Sequence, residues 1–167
     1  VMEKADLKPS YVVGGIIPEI HTNANYQTDN YFVAELDESD GTVVKYNPHI
    51  LVINNLEADH LDFYKNGLSS LIETFDGLIS RLPEKTKILI NNDNDGNKQL
   101  KGHKFITFGL NNADYTARNI ELTPTGSTFD IYHNDKLLTN LKIKLLGKHN
   151  VYNSLGVFAS LVEAGID

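Results

Sequence analysis

The sequence predicts an α/β fold: a mostly parallel sheet flanked by helices, with a small antiparallel accessory sheet. Three observations predict it. Apolar runs of strand length, Tyr31–Glu35, His49–Ile53 and Lys87–Asn91, carry no helical period and read as buried strands of a parallel sheet. Between the second and third, apolar residues recur at three- and four-residue spacing, as in the crossover helix of a strand–helix–strand unit. After about residue 103 the texture changes to broken alternation with turn residues, the mark of an antiparallel meander.

Taken in order, Val1 to Leu7 has helix-forming composition without a start signal, and Pro9-Ser10 stops it. It reads as the back half of a helix. Tyr11-Val-Val-Gly-Gly15 is a short strand in which the glycines allow a turn or the close approach of a ligand. Residues 18–30 are polar and irregular. The strands Tyr31–Glu35 and His49–Ile53 follow, separated by a connection that can hold a short helix. From Gly67 to Leu82 the stripe Leu68, Leu71, Ile72, Phe75, Leu78, Ile79 predicts an amphipathic helix, and Pro83 lies just past its end. Lys87–Asn91 is a buried strand and Asn92–Gly96 a turn cluster. Phe105–Phe108 and the segments 114–122, 127–133 and 136–145 are strands, with turns at Pro124-Thr-Gly126 and Asn134-Asp135. Gly147-Lys-His-Asn150 opens a last helix with Val151, Leu155, Phe158, Ala159 and Val162 on one face. The expectation is one domain over residues 1–167.

Composition narrows the function. At 167 residues the chain has room for one real core, and a 41% hydrophobic, 22% charged composition is ordinary for a globular protein. A net charge of −7 with scattered lysines offers no basic stripe for nucleic acid. No cysteine is present, so disulfides and thiolate metal sites are excluded. No apolar run reaches membrane-spanning length. A cytoplasmic setting suits all of this.

The chemistry gathers after the two acid-tipped strands. Glu35, Asp37, Glu38 and Asp40 follow the first; Glu57, Asp59, His60 and Asp62 follow the second, and the two strands are expected to be neighbours that bring Glu35 and His60 close together on one rim of the sheet. Ligands of open α/β sheets collect beyond the carboxyl ends of strands, and carboxylates crowded there repel one another unless a cation sits among them. A divalent metal carrying a phosphate answers that need. Acids after a strand also serve as turn residues or helix N-caps, Asp37 to Asp40 included. His60 has the same ordinary use.

Three segments together carry a resemblance: Val33-Ala-Glu-Leu-Asp-Glu-Ser-Asp-Gly41, Asn54-Asn-Leu-Glu-Ala-Asp-His-Leu-Asp62 and Gly147-Lys-His-Asn-Val-Tyr-Asn153. In order and spacing the chain resembles the Mur ligases. The Glu-x-Asp-Glu-Ser-Asp-Gly run points to members that use L-alanine. The resemblance implies an ATP-dependent ligase of cytoplasmic peptidoglycan synthesis, acting on UDP-N-acetylmuramate and L-alanine with Mg2+. It implies that Glu35 and His60 face the metal and serve catalysis, and that Asp59 and Asp62 orient the histidine or cap the next helix. Asn150 and Asn153, with the adjacent His149, would contact the nucleotide, while Glu38, Ser39 and Asn55 would face the sugar substrate. Asn150 has an alternative use as the N-cap of the last helix.

Departures from the family pattern shape further expectations. No Gly-x-x-x-x-Gly-Lys-Ser/Thr phosphate loop occurs in these residues, and the family's UDP-binding and amino-acid-binding domains have no counterpart. The chain is therefore expected to be a central-domain fragment, inactive alone, with a possible homodimer. Several relatives carry a carbamoylated lysine in the helix after the Asp-His motif; Gly67 to Leu82 contains no lysine. The competing readings are another Mur-type ligase such as a murein tripeptide ligase, more remotely folylpolyglutamate synthase, or a non-catalytic acidic metal-binding module.

Overall fold

A computed structural model describes residues 1–166. The chain divides after Val43 into two compact units.

The first unit opens with a single 3-10 turn, Met2–Ala5, none of whose residues is buried. The longer helix expected here is cut short because Asp6 and Lys8 take left-handed backbone angles (φ 56° and 47°) and Pro9 brings no amide donor. Strands β1 (Ser10–Ile17), β2 (Thr22–Asn25) and β3 (Phe32–Ala34) form a three-stranded sheet in the order β2-β1-β3. β1 runs antiparallel to β2 and parallel to β3.

Two expectations are corrected here. Part of the stretch 18–30 is a strand, because polar Thr22–Asn25 pairs with β1 (Tyr11 with Asn25, Val12 with Ala24); no pattern of its own marks it. The run Tyr31–Glu35 is a parallel strand, but not a buried one: Phe32 is 69% and Val33 44% exposed. Ser10, buried beneath this sheet's start, holds the segment between β2 and β3. Its hydroxyl donates to Thr28 O (2.7 Å) and accepts from the Gln27 and Thr28 amides.

The second unit contains β4 (Ile50–Ile53), α1 (Leu68–Arg81), β5 (Lys87–Asn91), β6 (Phe105–Gly109), β7 (Tyr115–Thr123), β8 (Gly126–His133), β9 (Lys136–Ile143) and α2 (Lys148–Glu163). The strands make one six-stranded sheet in sequential order. β4 to β7 are mutually parallel, and β8 and β9 continue antiparallel. The expected class stands, an α/β protein with a mostly parallel sheet. The antiparallel strands extend that sheet, and the small second sheet is the one built by β1 to β3.

The junction between the two halves is a stagger. β7 begins beside the end of β6, pairing Phe108 with Tyr115 and Gly109 with Thr116, and runs on in the same direction. A full parallel crossover needs about a dozen residues; the offset lets the short jog Leu110–Asp114 suffice. Asp114 locks it: its Oδ2 accepts from the Thr107 amide (2.7 Å) and hydroxyl (2.8 Å), and its own amide donates to Thr107 Oγ1.

Both helices follow their apolar stripes, except that Val162 at the end of the second is exposed. α1 buries Leu71, Ile72, Phe75, Leu78 and Ile79 and ends as expected before Pro83. α2 lays Val151, Leu155 and Ala159 across the sheet, where they join Leu89, Phe108, Tyr115, Ala117, Phe129 and Ile131 in one core. Full burial of each large side chain stabilises by about 1.5–3 kcal/mol. This packing fixes the start of α2 over the carboxyl ends of the parallel strands.

Candidate functional site

The two acid-tipped strands belong to different sheets. β3 pairs with β1, and β4 pairs with β5, which corrects the expectation that they are neighbours on one rim. Their segments are therefore described separately.

In the first unit Glu35 leaves β3 with its backbone amide donating to Val12 O (2.9 Å). Its carboxylate bends back over β1, where Oε2 accepts from the Gly14 amide at 2.7 Å. A Cβ at position 14 would stand 3.3 Å from that oxygen. The close approach anticipated at Gly14-Gly15 is thus made by Glu35 itself. The acids that follow shape the backbone. Asp37 Oδ1 accepts from the Ser39 amide (2.8 Å), and Asp40 Oδ1 accepts from the Thr42 amide (2.9 Å) at the head of the 3-10 turn Thr42–Lys45. Asp40 thus forms a turn that leads into this 3-10 element. Glu38 accepts the Gly41 amide on its carbonyl, and Glu38 and Ser39 are both half-buried.

In the second unit the segment after β4 is held by asparagines from the turn after β5. Asn97, fully buried, donates from Nδ2 to Ile53 O (3.0 Å), Asn91 O (3.2 Å) and Asn54 O (3.4 Å). Asn94 Oδ1 accepts from the amides of Leu56 (3.1 Å) and Asn97 (2.9 Å). Asn55 is exposed and donates to Glu57 Oε1 at 3.4 Å. His60 has a left-handed backbone (φ 51°), a conformation that histidine tolerates better than most residues. Asp59 Oδ1 accepts its amide at 2.7 Å, and its carbonyl accepts from Phe63 and Tyr64. Tyr64 is 2% exposed, so the turn bearing His60 is anchored in the core. Asp59 orients the histidine's backbone; the next helix is capped by Gly67.

The third constellation stands at the start of α2. Gly147 is the N-cap, with φ 85°. Asn150 therefore does not cap the helix; it lies within the first turn, its Nδ2 donating to Leu146 O (2.8 Å) and lying 3.1 Å from His149 Nε2. Asn153 Nδ2 reaches Asn150 Oδ1 at 3.5 Å. The two amides share one helix edge as their spacing requires, with His149 beside them.

The turn cluster after β5 has a structural role that its composition alone does not disclose. Asp93 Oδ2 accepts from the Leu110 amide (2.5 Å) and Oδ1 from Asn111 Nδ2 (3.2 Å), while Asn92 Nδ2 donates to Asn112 O. The density of Asn and Asp directly after a buried strand was the available signal. Among the described residues no three His, Asp or Glu side chains form a cage for a metal, and no helix is long and apolar enough to cross a membrane. Mg2+ commonly takes only one or two protein carboxylates and completes its shell with phosphate and water. The Glu35 carboxylate, held by one backbone donor, fits that donor chemistry. The His60 nitrogen fits less well as a direct ligand.

Comparison with known proteins bears on this arrangement. Residues 16–161 match the model of the Mur ligase middle domain. The UDP-N-acetylmuramate–L-alanine ligase of Dictyoglomus turgidum is 39% identical over 171 aligned residues, covering 100% of this chain and 37% of that protein. The chain thus spans little more than a third of its curated relative's length. The crystal structure of UDP-N-acetylmuramate–alanine ligase from Thermotoga maritima superposes with a TM-score of 0.84 at 26% identity, over 99% of this chain and 37% of that one. The MurF ligase of the same organism, solved in complex with ADP, shares the fold with a TM-score of 0.76 at 16% identity, over 99% of this chain and 42% of that one. With a family match across residues 16–161 and a fold shared with solved members, the chain belongs to the Mur ligases.

Proposed function

We propose that this chain is the ATP-binding middle domain of a cytoplasmic ligase that joins L-alanine to the lactoyl carboxylate of UDP-N-acetylmuramate in peptidoglycan synthesis. The observation that carries the reading is the 39% identity to such a ligase along the entire chain. In the reaction, a carboxylate oxygen of UDP-N-acetylmuramate takes the γ-phosphoryl group of ATP and ADP departs. The alanine nitrogen then attacks the acyl carbon, phosphate leaves with the C–O bond electrons, and the surplus amine proton passes to solvent.

Nucleophile and nucleotide are both anionic in the first step, so charge neutralisation matters more than proton transfer. Mg2+, when bound, supplies that neutralisation. Glu35 is the residue that would hold it directly, its carboxylate oriented by the Gly14 amide. His60, set by Asp59 on a core-anchored turn of the second unit, would serve the metal through a water. Asn150 and Asn153 offer paired amide donors and acceptors that suit the edge of adenine, with His149 alongside. Glu38, Ser39 and Asn55 face the sugar substrate in this reading.

The test is phosphate release by the complete protein that carries this chain. Release should require UDP-N-acetylmuramate, L-alanine, ATP and Mg2+ together. Release with a tripeptide in place of L-alanine, and none with L-alanine, would overturn the reading in favour of a murein tripeptide ligase.

A further inference from the structure

Tyr152 lies between the two asparagines in sequence, on the flank of α2 that turns toward the sheet. Its hydroxyl donates to Asp93 Oδ2 at 3.1 Å across 59 residues of chain. The same oxygen accepts the Leu110 amide at 2.5 Å, and the other carboxylate oxygen accepts Asn111 Nδ2 at 3.2 Å. One carboxylate at the carboxyl end of β5 therefore joins three elements: its own turn, the β6–β7 jog and the first turns of α2. On its far side Tyr152 carries the Lys148 ammonium 5.9 Å from its ring centre, one helical turn earlier.

Such a bond has consequences beyond holding a helix down. α2 is secured by Val151, Leu155 and Ala159, all fully buried, through apolar contacts that carry no direction of their own. A directional bond from a side chain next to Asn153 adds a restraint on rotation about the helix axis, and so bears on where the Asn150–Asn153 edge points. Burial first, and then the bond to Asp93, push the Tyr152 phenol up to about 12, so it remains a donor across the physiological range. A hydrogen bond to a charged acceptor is worth more than a neutral pair.

We infer that Tyr152 and Asp93 are positioning residues for nucleotide recognition, their hydrogen bond setting the orientation of the Asn150–Asn153 edge. The inference rests on the proposed contact between that edge and the base.

The experiment is a double-mutant cycle in the complete ligase, with Tyr152→Phe, Asp93→Ala and the pair, reading KM for ATP, kcat and thermal midpoint. Asn150→Ala and Asn153→Ala serve as controls. Tyr152→Phe keeps the ring and deletes only the hydroxyl, so folding survives; ATP KM should rise about fivefold to tenfold with kcat within about twofold. In the Asp93→Ala background the same deletion should change KM little, because the acceptor is already gone. An unchanged KM with a lowered thermal midpoint in Tyr152→Phe would overturn the inference and leave the bond a purely structural one. Additive effects would overturn it as well. If Asn150→Ala and Asn153→Ala both left KM unchanged, the base-contact reading itself would fall, whatever Tyr152→Phe did.

Discussion

Replacing Asn97 by Ala tests the core of the structural argument, because this one amide ties the end of β4 to the end of β5. The side chain is fully buried and donates to Ile53 O at 3.0 Å and Asn91 O at 3.2 Å, with Asn54 O further away at 3.4 Å. Removing the donor deletes both of the shorter bonds, leaving Ile53 O without its side-chain donor and Asn91 O with only the Asn94 amide at 3.3 Å. At a net loss of about 1 kcal/mol each, plus part of their desolvation, the cost is about 2–4 kcal/mol. One term acts the other way. Asn97 Oδ1 is itself buried without a partner among the described residues, so deleting it relieves a penalty and favours the lower half of that range. With a urea slope of about 1.5–2 kcal/mol/M for a domain of this size, the midpoint should fall by about 1–2 M. Far-UV circular dichroism during urea unfolding reads this directly. Asn97→Asp provides the discriminating control: it keeps the shape, deletes the donor and turns a charge toward carbonyl oxygens, so it should be worse than Ala. An Asp variant as stable as the parent would show that the site needs volume and not a donor, and the reasoning would fail.

Other outcomes follow from the same geometry. Glu163 is opposed by burial, but bonds from Lys87 and Tyr115 outweigh it and hold its carboxyl below the usual value of about 4.5. A depressed carboxylate contributes stability above its unfolded pKa and loses it as pH falls through the folded one. Lys87→Met should therefore destabilise at pH 7, and the gap to the parent should narrow as pH falls through the depressed folded pKa of Glu163; a pH-independent gap in the urea midpoint would contradict this. Glu35→Gln can still accept the Gly14 amide, so the thermal midpoint should shift by less than about 2 °C, while turnover of the complete ligase falls by about a hundredfold or more; normal turnover at limiting Mg2+ would return Glu35 to a structural role. The 167-residue chain alone should bind ATP weakly, because triphosphate affinity in P-loop proteins comes largely from backbone amides and a lysine not found in these residues. Micromolar affinity by calorimetry would refute that.

What the sequence disclosed and what it hid divide along the range of the interactions. α1 was legible to its ends because its stripe is intrinsic to the segment and Gly67 and Pro83 bracket it. Lys87–Asn91 was legible because a fully buried strand needs a continuous apolar run. β2 was hidden, since Thr-Asn-Ala-Asn carries no strand pattern and is extended only because β1 offers it partners. The separation of β3 from β4 was hidden for a similar reason: short apolar runs do not specify which strand they pair with. At the candidate site, the pairing of Asn150 with Asn153 could be read from helical spacing. The tasks of Asn97 and Asp93 could not, because their acceptors and donors come from distant segments. Gly147 displaced Asn150 from the cap because a residue with φ 85° closes that end without a side chain.

The stagger between β6 and β7 also orders events in time. β7, β8 and β9 pair across tight turns, Thr123 with Gly126 and His133 with Lys136, so this half closes only short loops. The parallel half must bring Ile53 to Ile90 and Asn91 to Phe108 across long ones, which is intrinsically slower. The hairpins are therefore expected to form first, with β4 to β6 joining them through the two residue pairs at the seam. The strand ends that bear the asparagine turn are then the last part of the sheet to close and the first to open. Pulsed hydrogen exchange should protect Phe129 and Ile131 before Leu51 and Ile53. In the proposed reading, the recognition surface then sits beside the part of the sheet that opens first, while the hairpins keep the molecule from coming apart.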